Sequence, residues 1–197
     1  TIPINTKVGL IGPTGSGKTT LVDILIGLLF AQKGTLDVDG TLIKNNNLRL
    51  WQKMIGYVPQ HIFLSDDTIA ANIAFDEKKK NIDNNILERS AKTADLYNFI
   101  MNDLPEKFET LVGERGIRLS GGQRQRIGIA RALYRQPRIL ILDEATSALD
   151  NETEKRVMNS IQNFKQQMTI IMIAHRLQTI EKCDQVYEVI NGEIKKK

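Results

Sequence analysis

Alternating blocks of apolar and polar positions predict the elements of this chain. Short apolar runs at 7–11 and 139–142, and a β-branched run at 169–173, are typical of buried strands. Apolar residues at helical spacing follow the first run from Lys18 to about Leu29 and recur over 121–134 and 152–164. Strands that alternate with helices predict an α/β fold built on a mostly parallel sheet.

Between these blocks the pattern changes twice. Asp39-Gly40 and Asn191-Gly192 each separate two short strand-like runs, which predicts two antiparallel hairpins. A short helix over 48–54 and a strand over 55–58 are also predicted. From residue 66 helical patterns dominate, with Asp83 as a helix N-cap, and we interpret 66–119 as an inserted, mostly helical subdomain.

Composition narrows the class of protein. The 197 residues are 41% hydrophobic and 25% charged, as in a globular domain, and the net charge of +4 does not by itself indicate a nucleic-acid or membrane-surface protein. No apolar run approaches the roughly 18 residues of a membrane span. Cys183 is the single cysteine and cannot form an internal disulfide.

The loop after the first strand fits the phosphate-loop pattern. Its residues are Gly12, Pro13, Thr14, Gly15, Ser16, Gly17, Lys18 and Thr19, followed by Thr20. The glycines let successive N–H groups point into one concavity, and the following helix adds its positive end. Lys18 is expected to reach the phosphates and Thr19 to bind Mg²⁺. The alternative, an ordinary turn, does not require a strand before the loop and a helix after it.

The apolar run 139–142 ends in two carboxylates. Asp143 would lie at the carboxyl edge of a parallel sheet, where ligands bind, and would hold Mg²⁺ through water. Glu144 is placed to act as the general base on an attacking water. The alternative interpretation is that these carboxylates only cap a turn at the strand end. The phosphate loop found earlier in the chain favours the functional interpretation. Together the two motifs predict binding and hydrolysis of a nucleoside triphosphate.

A second anion cradle begins at Ser120. The run Leu119-Ser120-Gly121-Gly122-Gln123 combines a serine cap, two glycines and a helix start. Here the chain closely resembles the ATP-binding cassette (ABC) family, whose signature is this pentapeptide. The resemblance implies that Ser120, Gly121, Gly122 and Gln123 close over the γ-phosphate held by the opposite subunit of a head-to-tail dimer.

Further residues follow the family's order. Gln60 resembles the Q-loop glutamine, which implies contact with the metal and the attacking water. Asp150 resembles the D-loop aspartate at the dimer interface, and it is equally suited to cap the next helix. His175 resembles the switch histidine that senses the γ-phosphate. The segment 110–116 resembles a loop of ABC exporters, and the chain as a whole resembles bacterial lipid or lipid-linked oligosaccharide flippases.

The resemblance implies a RecA-like P-loop core over 1–65 and 120–197, with a small antiparallel β part. It also implies ATP and Mg²⁺ as ligands, a second nucleotide-binding domain as partner, expected as a homodimer, and attached transmembrane domains at the cytoplasmic face of the inner or plasma membrane. The family stacks adenine on an upstream aromatic residue, and none of the eleven residues before Gly12 is aromatic. We therefore expect the chain, which starts at Thr1, to be truncated at its N-terminus.

Two other functions remain open at this point. A non-transport ABC ATPase that acts on nucleic acid or ribosomes would share the ATP site, but the sequence has no coiled coil, paired cassette or basic aromatic patch, so no nucleic acid is expected as partner. A P-loop kinase would need an acceptor pocket, which no motif marks.

Overall fold

A six-stranded sheet holds the elements that flank the phosphate loop. In the computed structural model, which describes residues 1–164, 168–173 and 180–197, its strand order is β4-β5-β6-β1-β7-β8. The strands are β1 (Lys7–Ile11), β4 (Ile55–Val58), β5 (Ile139–Asp143), β6 (Thr169–Ile173), β7 (Gln185–Ile190) and β8 (Glu193–Lys196). β1 pairs in parallel with β6 and β7, β5 pairs in parallel with β6, and β8 runs antiparallel to β7. The predicted mostly parallel α/β sheet is confirmed.

The sheet belongs to the first of two compact units, formed by Thr1–Tyr57, Pro137–Glu144 and the described part of Gln167–Lys197. Its core joins apolar residues of β1, β5 and β6 to two helices, α1 (Lys18–Leu25) and α2 (Leu48–Lys53). Val22 and Trp51 bring the helices into this core, and the Trp51 indole N–H donates to the Leu25 carbonyl at 2.7 Å. Burial of these side chains anchors α1, and with it the C-terminal end of the phosphate loop.

Both predicted hairpins are present in the first unit. β2 (Asp37–Val38) pairs antiparallel with β3 (Thr41–Leu42), and β7 pairs with β8. Each turn contains two consecutive residues with positive φ: Asp39 and Gly40 at 50° and 78°, and Asn191 and Gly192 at 50° and 79°. Asp, Asn and Gly adopt these angles readily, which is why these dipeptides favour tight hairpins.

The first helix is shorter than predicted. The apolar spacing suggested a helix from Lys18 to about Leu29, whereas α1 ends at Leu25. The chain turns at Gly27, which has a φ of +74° and lies where a β-carbon would be 2.3 Å from Leu48 Cδ1. Leu28 and Leu29 continue the apolar pattern as exposed residues beyond this turn, so the pattern did not reveal the helix end.

The second unit, Val58–Gln136 and Ala145–Gln166, is helical. It contains α3 (Ile69–Ile73), α4 (Asn84–Thr93), α5 (Tyr97–Asp103), α6 (Gly121–Tyr134) and α7 (Asn151–Phe164), with short 3-10 turns at Lys79–Asn81, Lys107–Glu109 and Glu114–Gly116. Asp83 caps α4 as predicted, because its carboxylate accepts from the Asn85 and Ile86 N–H groups.

This unit extends beyond the predicted insert of 66–119. α6 packs against α3 and α4, and α7 packs against α4, because both helices bury apolar faces there that include Ile127 and Ile161. The helical insert itself is confirmed, while the domain limits at 65 and 120 stay a prediction. Within the described residues, no helix is both long and apolar enough to span a membrane.

The turn after α1 yields a stability prediction. Replacing Gly27 by alanine combines a left-handed backbone with a clash against Leu48, so we expect the free energy of unfolding to fall by about 2–4 kcal/mol. Gly34→Ala is the matched control, because Gly34 also has a positive φ but nothing lies within 4 Å of its would-be β-carbon. Urea denaturation measures both changes, and equal losses in the two variants would contradict the close packing at Gly27.

Candidate functional site

The loop between β1 and α1 depends on a glycine at its first position. At Gly12 the φ is +146°, and a β-carbon would lie 2.2 Å from the Val189 carbonyl oxygen and 2.9 Å from Ser16 Oγ. No side chain fits in that space, so the loop backbone packs directly on β7. Gly15 and Gly17 also have positive φ values, 77° and 105°, which glycine adopts at little cost.

Backbone hydrogen bonds hold the rest of the loop. The Ser16 N–H donates to the Pro13 carbonyl at 3.2 Å, and the Gly192 N–H of the β7–β8 turn donates to the Ser16 carbonyl at 3.0 Å. The Ser16 hydroxyl is buried and has no hydrogen-bond partner among the described residues. A buried hydroxyl in this state costs free energy, which makes an added acceptor at the loop favourable.

Lys18 directs its charge back over this loop. Its Nζ donates to the Gly12 and Pro13 carbonyls, each at 2.9 Å, and the residue is only 7% exposed. Gly17 caps α1 without a side-chain hydrogen bond, so the positive end of the helix faces the loop. Thr19 and Thr20 in the first turn are exposed, as are Pro13, Thr14 and Gly15. The loop therefore presents a fixed ammonium group, accessible backbone and two threonines, which suits a polyphosphate.

Asp143 ends β5 in the same unit. It lies opposite Ile173 in the parallel register with β6 and is 5% exposed. The Tyr57 hydroxyl, at the end of β4, donates to Asp143 Oδ2 at 3.4 Å. Burial, with the neighbouring charge of Glu144, raises the pKa of Asp143, whereas the Tyr57 hydrogen bond and Lys18 lower that pKa. The charge of Lys18 thus acts on the carboxyl of Asp143.

Glu144 occupies an unusual backbone conformation. Its φ is +50°, and its N–H donates to the Ile173 carbonyl at 3.1 Å, which extends the β5–β6 ladder by one bond. A non-glycine residue in the left-handed region stores strain, and such residues cluster at functional sites. The side chain is partly exposed immediately after the buried Asp143. This pair therefore offers one sheltered carboxylate and one accessible carboxylate.

The residues predicted to form the second anion cradle lie in the second unit, at the start of α6. Ser120 caps the helix by accepting from the Gln123 N–H at 3.2 Å, and Gln123 Oε1 accepts from the Ser120 N–H at 2.7 Å. This reciprocal capping box fixes the first turn, which begins with Gly121 and Gly122. The same unit contains Asp150, whose carboxylate accepts from the Glu152 and Thr153 N–H groups and caps α7.

The segment before Ser120 is fixed by α6. Arg124 Nη1 donates to the Leu119 carbonyl at 2.6 Å and to the Gly116 carbonyl at 3.3 Å. At Gly116, which is buried, a β-carbon would lie 2.8 Å from Leu64 Cδ1. The segment that resembles the exporter loop is therefore packed on the helix that carries the signature.

The predicted site residues fall in both units. The phosphate loop, Asp143 and Glu144 belong to the first unit, whereas Gln60, Ser120–Gln123 and Asp150 belong to the second. Gln60 is exposed. His175 lies outside the described residues. The metal and catalytic roles assigned to these side chains stay predictions.

Sequence reasoning missed three polar residues near these groups. Tyr57 contacts Asp143, and the charge of Asp23 on α1 raises the pKa of both. Burial and the Asp143 charge raise the pKa of Tyr57 to about 12, so its hydroxyl stays protonated and remains a donor. The Tyr57 contact carried no sequence signal, because it depends on β4 and β5 being neighbours in the sheet. Gln125 of α6, described below, carried no separate sequence signal.

Within the described residues, no group of three or more His, Cys, Asp or Glu side chains could hold a metal ion alone. A Mg²⁺ ion at Thr19 and Asp143 would need phosphate oxygens and water as its remaining ligands, which fits the oxygen donors that this ion prefers. The Ser16 hydroxyl, which has no partner within the described residues, and the inward-facing Lys18 ammonium fit an anionic ligand at the same loop.

Comparisons with known proteins agree with this geometry. A family model described as "ABC transporter" matches residues 1–147. Among curated relatives, an "ATP-dependent lipid A-core flippase" of Saccharophagus degradans is 48% identical over 187 residues, which cover 95% of this chain and 31% of the relative. Mouse "ATP-binding cassette sub-family B member 5" is 44% identical over 190 residues, 96% of this chain and 15% of the relative.

A solved structure, described as a bacterial Atm1-family ABC exporter with ATP bound, superposes with a TM-score of 0.91 at 36% identity. The match covers 97% of this chain and 33% of that one. The chain thus spans about a third or less of the length of these proteins. The fold and the family match agree, and the chain belongs to the ABC transporter family as one of its ATPase domains.

Proposed function

We propose that this chain binds and hydrolyses ATP to power export across a membrane. One observation carries the proposal: the first unit contains both the glycine loop with the buried Lys18 ammonium and the Asp143-Glu144 pair at the end of β5. Polyphosphate binding and water activation both need such groups. The relatives support transport over action on nucleic acid, because those described above are named as flippases, exporters or cassette proteins.

In this proposal the loop residues bind the phosphates. Backbone N–H groups of Gly15, Gly17, Lys18 and Thr19 donate to phosphate oxygens. Lys18 exchanges one of its carbonyl acceptors for a phosphate oxygen, and the ammonium neutralises negative charge there. Because the loop is already held by Gly12 and by the Ser16–Gly192 bond, little ordering is needed when the nucleotide binds.

The residues present also fit Mg²⁺. Thr19 supplies a hydroxyl, Asp143 supplies a carboxylate through water, and Gln60 is assigned on sequence resemblance alone. When bound, the ion would neutralise charge on the β- and γ-phosphate oxygens. Tyr57 donates to one oxygen of the Asp143 carboxylate and so orients this carboxylate.

Glu144 is the proposed general base. Its partly exposed carboxylate follows the buried Asp143, and the ladder bond to Ile173 fixes its backbone despite the positive φ. The carboxylate would accept a proton from the water that attacks the γ-phosphorus. His175 is proposed, on resemblance, to donate to the γ-phosphate as charge develops.

The complete reaction is proposed to need a second ATPase domain. Ser120–Gln123 are proposed to form a second anion cradle, in a different unit from the phosphate loop. The nucleotide bound at the phosphate loop occupies only the first cradle, so the second cradle needs another nucleotide. The second cradle would bind the γ-phosphate on the partner domain, with Asp150 at the shared interface. A homodimer attached to transmembrane domains, at the cytoplasmic face of the inner or plasma membrane, is the assembly that we propose.

The experiment that tests this proposal replaces the general base. In the full-length protein, Glu144→Gln removes the proton acceptor and keeps the shape, so we expect ATP binding within about 3-fold of wild type and hydrolysis at least about 100-fold slower. Nucleotide titration and steady-state phosphate release measure the two quantities. Glu152→Gln, an exposed position on α7, is the matched control and should leave both unchanged. Steady-state hydrolysis at the wild-type rate in Glu144→Gln would disprove the assignment.

Tyr57 provides a test of the metal site. Tyr57→Phe removes the hydroxyl that orients Asp143, and because the hydrogen bond is long we expect the Mg²⁺ concentration for half-maximal ATP hydrolysis to rise about 5- to 10-fold. Tyr187→Phe is the control, since its hydroxyl contacts the Thr1 carbonyl and Gln185 instead. An unchanged Mg²⁺ requirement in Tyr57→Phe would show that Tyr57 does not orient a metal ligand.

A further inference from the structure

A buried glutamine of α6 contacts the segment 147–150 that precedes α7. Gln125 lies two residues after Gln123, which ends the capping box of Ser120 and Gln123, and it is 6% exposed. Its Nε2 donates to Ser147 Oγ at 3.0 Å, and its Oε1 accepts from the Ala148 N–H at 2.9 Å. Both ends of one buried amide are thus committed to the same short segment, which we call the 147–150 segment.

The same segment packs on the two glycines that begin α6. A β-carbon at Gly121 would lie 3.5 Å from Ala148 Cβ. One at Gly122 would lie 3.2 Å from the Ala148 carbonyl oxygen and 3.3 Å from Leu149 Cδ2. Leu149 is buried beside them. A β-carbon at Gly121 would make an ordinary contact, whereas one at Gly122 would be crowded, so Gly122 is the glycine that admits the 147–150 segment to the first turn of α6.

Contacts on either side fix the ends of this segment to α7. Asp150 caps that helix, and the Thr146 hydroxyl donates to Glu154 Oε1 at 2.9 Å. Gln125 fixes the middle of the segment to α6. The 147–150 segment is therefore bound both to α7, which follows it, and to α6.

We propose that Gln125 is a positioning residue that makes the second anion cradle and the 147–150 segment move as one element. This inference rests on the proposed function, in which Ser120–Gln123 and Asp150 both act on the partner domain. When the cradle engages the partner's γ-phosphate, the Gln125 amide holds the Asp150 end of the segment in register with it. Neither element then needs to be ordered separately as the nucleotide is enclosed.

The test uses the full-length protein with Glu144→Gln, which holds ATP without turnover. ATP enclosed between two domains should leave this protein slowly. Adding Gln125→Met keeps the side-chain volume but removes both hydrogen bonds, and we expect ATP to dissociate about 10-fold faster, with its association rate unchanged because the phosphate loop is intact. Gln162→Met on α7 is the matched control and should leave the dissociation rate unchanged.

The second variant separates positioning from folding. Gln125→Glu keeps an acceptor for the Ala148 N–H and loses only the bond donated to Ser147 Oγ, so we expect ATP dissociation within about 3-fold of the parent protein. Hydrogen exchange monitors the Ala148–Gln125 hydrogen bond independently of ATP hydrolysis. Exchange at the Ala148 amide should accelerate about 10-fold in Gln125→Met. It should stay near the parent rate in Ser147→Ala, because the Oε1 acceptor of Gln125 remains.

The outcomes distinguish the two levels of proposal. If ATP leaves the Glu144→Gln parent as fast as it leaves an open site, the enclosed dimer of the proposed function is wrong. If the parent retains ATP and Gln125→Met retains it equally, the positioning role of Gln125 is wrong. If ATP dissociates as fast from Gln125→Glu as from Gln125→Met, the role is also wrong. The hydrogen bond from the Ala148 N–H to the side chain at position 125 would then have no effect on ATP retention.

Discussion

Parallel pairing of β1, β6 and β5 is the constraint on which the first unit depends. It sends the carboxyl ends of these strands to one edge of the sheet, so that the loop after β1 and the carboxylates after β5 emerge together. Gly12 then brings the loop backbone against β7, where no side chain would fit. The chemistry of the site follows from this placement: Lys18 is buried over its own loop, while burial and the neighbouring charge of Glu144 raise the pKa of Asp143.

A similar logic governs the second unit, although side chains rather than strands supply the constraint. A capping box and a buried amide determine where polar groups lie around α6, and Gln125 joins two segments that the sequence separates by more than twenty residues. Arg124 fixes the segment before Ser120 in the same way. Helix α6 therefore fixes the segment before Ser120, its own capped first turn and the 147–150 segment.

Local patterns predicted the parts of the fold that depend on local energetics. The hairpin at Asp39-Gly40 and the cap at Asp83 are short-range features, and both are present. The predicted end of α1 was wrong, because the close approach of Gly27 to Leu48 depends on tertiary packing that periodicity does not encode. For the same reason the contacts of Tyr57 and Gln125 could not be predicted: they need the strand order and the helix packing. The motifs identified the candidate phosphate loop and carboxylates, since their chemistry is carried by consecutive residues.

The central claim is that the loop after β1 binds the phosphates of a nucleotide. Calorimetric titration of the full-length protein with ATP, ADP and AMP tests this most directly, because the three ligands share a base and sugar and differ only in the phosphates that the loop would contact. The account predicts that ADP and ATP bind at least about 10-fold more tightly than AMP, since each lost charge-assisted hydrogen bond costs about 1.5–3 kcal/mol. AMP binding within about 3-fold of ADP would contradict it.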